Sequence, residues 1–501
     1  MLRFQVFRDG QPPAELDLST AYLTGSENIP IRSDLVYDNG MIICRKRAGG
    51  PAALSLLWPV EGFGVVMLET TRLPEREEPY ILNVELARGR MMRFVQKRED
   101  WGFLDQSETH ALSEKATEAR NLLVQCMTHL EQPAAAAAFG DQCLSVLLPL
   151  SEQAATLHAD LLLARRIHAR NFSRAVFGCR IDAGQVSEPY RRSLMSAADF
   201  VYVPMIWKHL HPQEHAFYWQ PTDEWLDFLR RAKLPVVGGP LVQFTEHSLP
   251  AWLYTWENDF EELRDFLFEH IERVVSRYSG QVALWNVVSS LHTNAQFGFT
   301  FDQIMDLTRM SLALVKKASP NARTMIELAQ PWGEYYAANQ RSIPPLVYAE
   351  MVVQSAGAFD VFGVQLCFGI PRDGGYQRDL FQISSMLDRL AAFGKPVVIS
   401  ALAAPSLETP ESASSGAWRK PWNETVQAKW LQMVTNVALS KPFVEALCWH
   451  NLADPAEGGI PASGLIGSDF APKAAFQTWT KMRRGVMNAR HGPAKPVANP
   501  S

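Results

Sequence analysis

Residues able to move protons, attack carbon or hold an ion recur at a regular place in this sequence. They follow short apolar runs. In chain order they are Asp182, Lys208 with His209, Glu246 with His247, Ser290 with His292, Glu327, Gln365 with Cys367, and His450 with Asp454. Carboxyl groups in such positions suit general acid–base work. Ser290 and His292 stand two residues apart with no glycine-flanked elbow, so they do not read as a nucleophile and its base. His247 lacks a second histidine at ligand spacing, and the six cysteines (Cys44, Cys126, Cys143, Cys179, Cys367, Cys448) are scattered. The sequence therefore names no metal site and no cofactor, and the thiols read as reduced and mostly buried.

The elements that must position these residues begin near residue 171. Strand-like runs at 175–181, 200–207, 235–242, 282–290, 323–329, 361–368, 396–402 and 444–450 alternate with helical stretches near 188–197, 222–233, 259–279, 301–317, 345–356, 380–393, 424–439 and 473–484. Eight such units in about 310 residues suit a (β/α)8 TIM barrel, whose active groups gather at the C-terminal strand ends. A doubly wound open sheet would carry a Gly-rich phosphate turn after its first strand. Here that strand ends Arg180-Ile181-Asp182-Ala183-Gly184, which is no such turn.

Upstream the character differs. Residues 1–105 alternate apolar and polar positions in short runs, including 80–86, and predict a small β-sandwich. Such modules bind carbohydrate in some proteins and only pack in others. Trp58, Trp101 and Phe103 read either as a ligand platform or as core or interface, and the general burial of aromatics favours the second. Residues 106–170 favour helix and predict a helical hairpin linker, with Pro133 and Gly140 marking the break. The barrel occupies 171–485, and 486–501 reads as a disordered tail.

Composition narrows the function classes. The chain has 501 residues, 47% hydrophobic and 20% charged, with 14 Trp, 26 Phe and a net charge of −5. That composition suits a globular protein of two or three domains. Without a basic run, nucleic acid has no electrostatic footing as a partner. The N-terminus lacks a signal-peptide pattern, and no stretch reads as long and apolar enough to span a bilayer. A soluble, cytoplasmic protein without a membrane partner is the expectation. The sequence assigns no oligomeric state.

Several barrel segments resemble glycoside hydrolase family 10, the endo-β-1,4-xylanases. Trp285-Asn286-Val287-Val288-Ser289-Ser290 is similar to the family's Trp-Asp-Val-Val-Asn-Glu at the fourth strand. Phe362-Gly363-Val364-Gln365-Leu366-Cys367 is similar to Ile-Gly-Leu-Gln-Ser-His at the sixth. Leu249-Pro250-Ala251-Trp252-Leu253, Pro396 to Leu402, Gln427-Ala428-Lys429-Trp430 and Ala446-Leu447-Cys448-Trp449 match further signatures in order.

The resemblance implies a β-linked polysaccharide such as xylan as ligand. Lys208, Gln365, Trp449, Trp252 and His450 are the implied substrate-binding residues. It also implies that Ser290 stands at the acid/base position and Ala401 at the nucleophile position. A retaining glycosidase needs two carboxyl groups about 5–5.5 Å apart. Serine is no proton donor at a useful pKa, and alanine has no nucleophilic atom. The expectation is a xylanase-like protein without the retaining mechanism. Two alternatives stand beside it: a hydrolase with displaced carboxylates, Glu246 and Glu327 at an inverting spacing of about 6.5–9.5 Å or Glu408 and Glu411, and a non-catalytic scaffold.

Overall fold

The computed structural model describes residues 1–103, 110–355, 357–456 and 459–491. The N-terminal part forms two small sheets. Strands β1 (Leu2–Gln5), β2 (Tyr22–Thr24), β3 (Pro30–Ile31), β4 (Ser33–Asp38), β5 (Met41–Lys46), β6 (Ala53–Val60), β7 (Gly64–Glu69) and β8 (Tyr80–Ile81) supply them. One sheet runs β4-β5-β1-β8 and the other contains β7-β6-β2-β3. Inward residues of both, among them Phe4, Ile42, Leu54 and Leu56, share one core. Trp58 and Phe103 are buried in it, and Trp101 stacks on His158 with ring centroids 4.6 Å apart.

The run at 80–86 is not a strand throughout. Only Tyr80–Ile81 pairs, and Leu82 opens helix α1 (Leu82–Asp100). Its first residues alternate like a strand, but the helical period governs the following fifteen or so. Helices α2 (His110–Thr128) and α3 (Pro133–His168) complete the helical part. Pro133 starts α3, where its missing N–H costs nothing. Gly140 does not break the helix: a Cβ there would meet the Asn83 backbone at 2.8 Å, so it permits close approach to α1. Helix α3 is, by length and composition, apolar enough to cross a membrane, which corrects the expectation that no stretch is. Its buried residues, such as Leu144, Leu147 and Ala155, belong to the core shared with the sheets.

The barrel closes from eight parallel strands: β9 (Phe177–Arg180), β10 (Phe200–Pro204), β11 (Val236–Gly239), β12 (Leu284–Ser289), β13 (Arg323–Leu328), β14 (Val361–Cys367), β15 (Val397–Ala403) and, after the two-residue β16 (Ala417–Trp418), β17 (Val444–Trp449) beside β9. All residues of β12 and β15 are buried, as strands covered on both faces require. Several of the covering helices start from side-chain caps. Asp259 accepts from the Glu262 amide, and Thr300–Gln303 and Asp379–Gln382 form capping boxes. Trp207 does not extend β10 but opens the short helix Trp207–Leu210. The last helix, Ala474–His491, runs on through 486–491, where a disordered tail was expected; 492–501 lie outside the described residues.

The N-terminal unit is joined to the barrel by buried charge. Arg90 on α1 pairs with Asp379 at 2.6 Å, both essentially inaccessible. Glu152 on α3 accepts from the Leu380 amide (3.0 Å), the Trp418 indole (2.7 Å) and Arg419 (2.7 Å). Strand β16, which lies in the connection after β15, pairs antiparallel with β7 and extends the N-terminal sheet. The six cysteines are all free; five are buried and Cys367 is partly so.

Candidate functional site

The carboxylate of Glu327 sits at the mouth of the barrel with only 4% of its residue surface exposed. Two neighbours hold it. Ser289, its partner in the β12–β13 register, donates its hydroxyl to Glu327 Oε2. Gln365 on β14 donates its amide to the same oxygen at 2.8 Å. Gly363 makes room: a Cβ there would stand 2.9 Å from Met325 Sδ and 3.2 Å from Glu327 Cβ.

The two positions that the sequence compares with a catalytic pair flank this carboxylate. Ser290 follows Ser289, with the two hydroxyl oxygens 3.2 Å apart. Its φ is +58°, in the left-handed region that a non-glycine residue enters only at a cost. Ala401 is the cross-strand neighbour of Gln365 and is buried. Ser400 beside it has a buried hydroxyl without a partner among the described residues.

A cleft of about 860 Å³ opens at the ends of β9, β10 and β17. Arg180, Asp182, Lys208, His209 and His450 line it. Arg180 lies over the Tyr202 ring at 5.7 Å, and Tyr202 accepts from the Asn286 amide at 2.8 Å. Burial, with the Glu327 charge adding to it, pushes the Tyr202 phenol up, so it stays protonated. Burial likewise pushes the Cys367 thiol up to about 12, which leaves no thiolate nucleophile at neutral pH. Burial and the nearby Arg180 and Arg372 push His450 down to about 3, so its ring is a neutral donor or acceptor.

The other sequence candidates do not converge here. Glu246 is exposed on the loop after β11, and no hydrogen bond or ion pair joins it to Glu327 among the described residues. Glu408 and Glu411 are exposed beyond β15. Trp449 is fully buried and donates its indole to the Ser463 carbonyl at 2.9 Å, so it offers no face to a sugar. Trp252 donates to the His211 carbonyl at 3.1 Å and packs on Phe266. His292 is buried, bonds the Ala329 carbonyl at 3.0 Å and stacks on Tyr348. Asp454 is held by Lys473 at 2.5 Å. Lys208, Gln365 and His450 remain at the mouth. Sequence reading passed over Ser289 and Arg180; their signal was position, since each ends a barrel strand.

The family model Glycosyl hydrolase family 10 matches residues 166–480. Endo-1,4-beta-xylanase B of Thermotoga neapolitana is 33% identical over 85 residues, 17% of this chain and 24% of that protein. Endo-1,4-beta-xylanase 3 of Hypocrea jecorina is 23% identical over 184 residues, 35% and 50% respectively. The chain spans about a quarter of the length of the first curated relatives it matches. Among solved structures, native xylanase 10B from Thermotoga maritima has a TM-score of 0.47 at 18% identity, covering 65% of this chain and 98% of its own. The family 10 structure from Paenibacillus barcinonensis has a TM-score of 0.48 at 18% identity, covering 64% and 97%.

Proposed function

Because the chain belongs to glycosyl hydrolase family 10, we propose that its barrel mouth binds a β-linked polysaccharide such as xylan without cleaving it by the retaining mechanism. The carrying observation is the environment of Glu327. This one buried carboxylate is gripped by Ser289 and Gln365, between a serine and an alanine at the positions the resemblance gives to acid/base and nucleophile. The retaining mechanism needs two carboxyl groups about 5–5.5 Å apart, and the two positions that the resemblance gives to them carry none. Removing acid–base assistance alone costs about 10²–10⁴ in rate. The polar groups assigned to the sugar are Lys208, Gln365 and His450.

The test is paired. Calorimetry with xylohexaose should show binding that Gln365→Ala weakens. Reducing-sugar release from xylan and aryl xylosides should stay at background. Turnover like that of an ordinary xylanase, indifferent to Ser290→Ala and Ala401→Gly, would overturn this reading. Loss of such turnover in Glu327→Gln would point to displaced carboxylates instead.

A further inference from the structure

A second cleft, of about 810 Å³, lies where the N-terminal unit meets the barrel. Its walls are the end of β7, the helix α1 and the barrel helix Leu380–Leu390. The volume suits a small ligand. Its charged lining is strongly one-sided: six arginines and Lys97 against Glu69 and Asp100.

Most of these cations have protein partners. Arg90 pairs with Asp379 and Arg378 with Glu334, each at 2.6 Å; Arg93 pairs with Glu69 at 2.9 Å and Lys97 with Asp388 at 3.3 Å. Two, on separate elements of the lining, are not matched by a carboxylate among the described residues. Arg72, from the N-terminal unit, donates to the neutral Asn28 side-chain oxygen at 2.6 Å. Arg389, from the barrel helix, has no hydrogen bond or ion pair among the described residues, yet lies close enough to feel the charges of Glu69 and Arg72. Glu69 is already taken by Arg93. In the same lining, the Ser385 hydroxyl is buried without a partner among the described residues. Both arginine side chains are exposed, so water screens them from each other, and their planar forks suit carboxylate or phosphate oxygens.

We propose that this cleft binds a small ligand with at least two acid groups, carboxylate or phosphate, bridged between Arg72 of the N-terminal unit and Arg389 of the barrel. The site is independent of the barrel mouth. Acidic sugars and polyphosphates share the required chemistry, and separate probes distinguish them.

The experiment is calorimetry on the full chain with trigalacturonate, inorganic pyrophosphate and neutral xylotriose. At least one anionic probe should bind, and Arg72→Gln and Arg389→Gln should each weaken it at least tenfold while leaving xylohexaose binding unchanged. Trigalacturonate alone would assign a uronate ligand, and pyrophosphate alone a phosphate one. Unliganded Arg389→Gln should melt with the parent, since Arg389 is exposed and has no hydrogen bond or ion pair among the described residues; a purely structural arginine would lower the melting temperature. Binding of neither anion, or equal anion affinity in the double variant, overturns the proposal.

Discussion

Gln365 lies opposite Ala401 across β14 and β15 and turns its amide away, onto Glu327 at 2.8 Å. The amide thus serves a carboxylate on the neighbouring strand, beside a position with no functional group. Removal of the carboxylate should strand two donors. Glu327→Ala is expected to cost about 2–4 kcal/mol, from the unmatched Ser289 and Gln365 groups plus the cavity. Glu327→Gln, which keeps shape and one acceptor, should cost less than about 1.5 kcal/mol. Urea unfolding of both variants measures the difference; equal costs would contradict it.

Arg90 and Asp379 form a different kind of contact, an ion pair with almost no water around it. Breaking it from one side leaves a buried charge. Arg90→Met should therefore destabilise by about 3–5 kcal/mol, and Arg90→Met with Asp379→Asn should recover part of that loss. Because the pair joins the N-terminal unit to the barrel, the parent should unfold in one transition by both near- and far-ultraviolet dichroism.

Acid should weaken the fold through buried imidazoles. His270 is inaccessible, stacks on Trp207 with centroids 4.7 Å apart, and has no partner for either ring nitrogen among the described residues. Burial pushes it down to about 3, and His292 to about 4. A depressed histidine means that the unfolded chain binds the proton first. Stability is therefore full above about pH 6.5 and is lost as pH falls toward the folded value, on the order of 2–3 kcal/mol from His270 by pH 4. His270→Phe should keep the stack, match or exceed parental stability at pH 7, and flatten the acid limb of a melting-temperature profile.

Asp141 should act in the opposite sense. It accepts from the Asn83 amide at 2.9 Å, and burial pushes its carboxyl up to about 6. A raised carboxyl contributes stability below its unfolded value, near 4, and loses it as pH rises through about 6. Asp141→Asn should thus gain on the parent by about 2 kcal/mol between pH 4.5 and pH 7, read from urea midpoints at the two values.

The barrel was legible because its signals are local. Apolar runs such as Val397 to Ala403 bury every residue, and the intervening helices carry caps that stand in the sequence. The mouth was legible in part. Glu327 could be named as a strand-end acid, but not its grip by Ser289 and Gln365, which depends on register between β12, β13 and β14. Trp449 shows the converse. The resemblance implied a substrate-binding residue, whereas its indole is spent on the Ser463 carbonyl. Leu82 to Leu86 misled because a few residues of alternation fit strand and helix alike.

The two-residue strand β16 bears on how the chain reaches its native state. Most of the N-terminal sheet is built from the first seventy residues, yet the outer edge of β7 is covered by Ala417 and Trp418. Gln377 and Gln382 also bond the Met67 backbone along it. During synthesis that edge stays unpaired until more than three hundred further residues have emerged, at roughly 5–20 residues per second. An open edge is a template for pairing with other chains. Chains truncated before residue 417 should therefore self-associate.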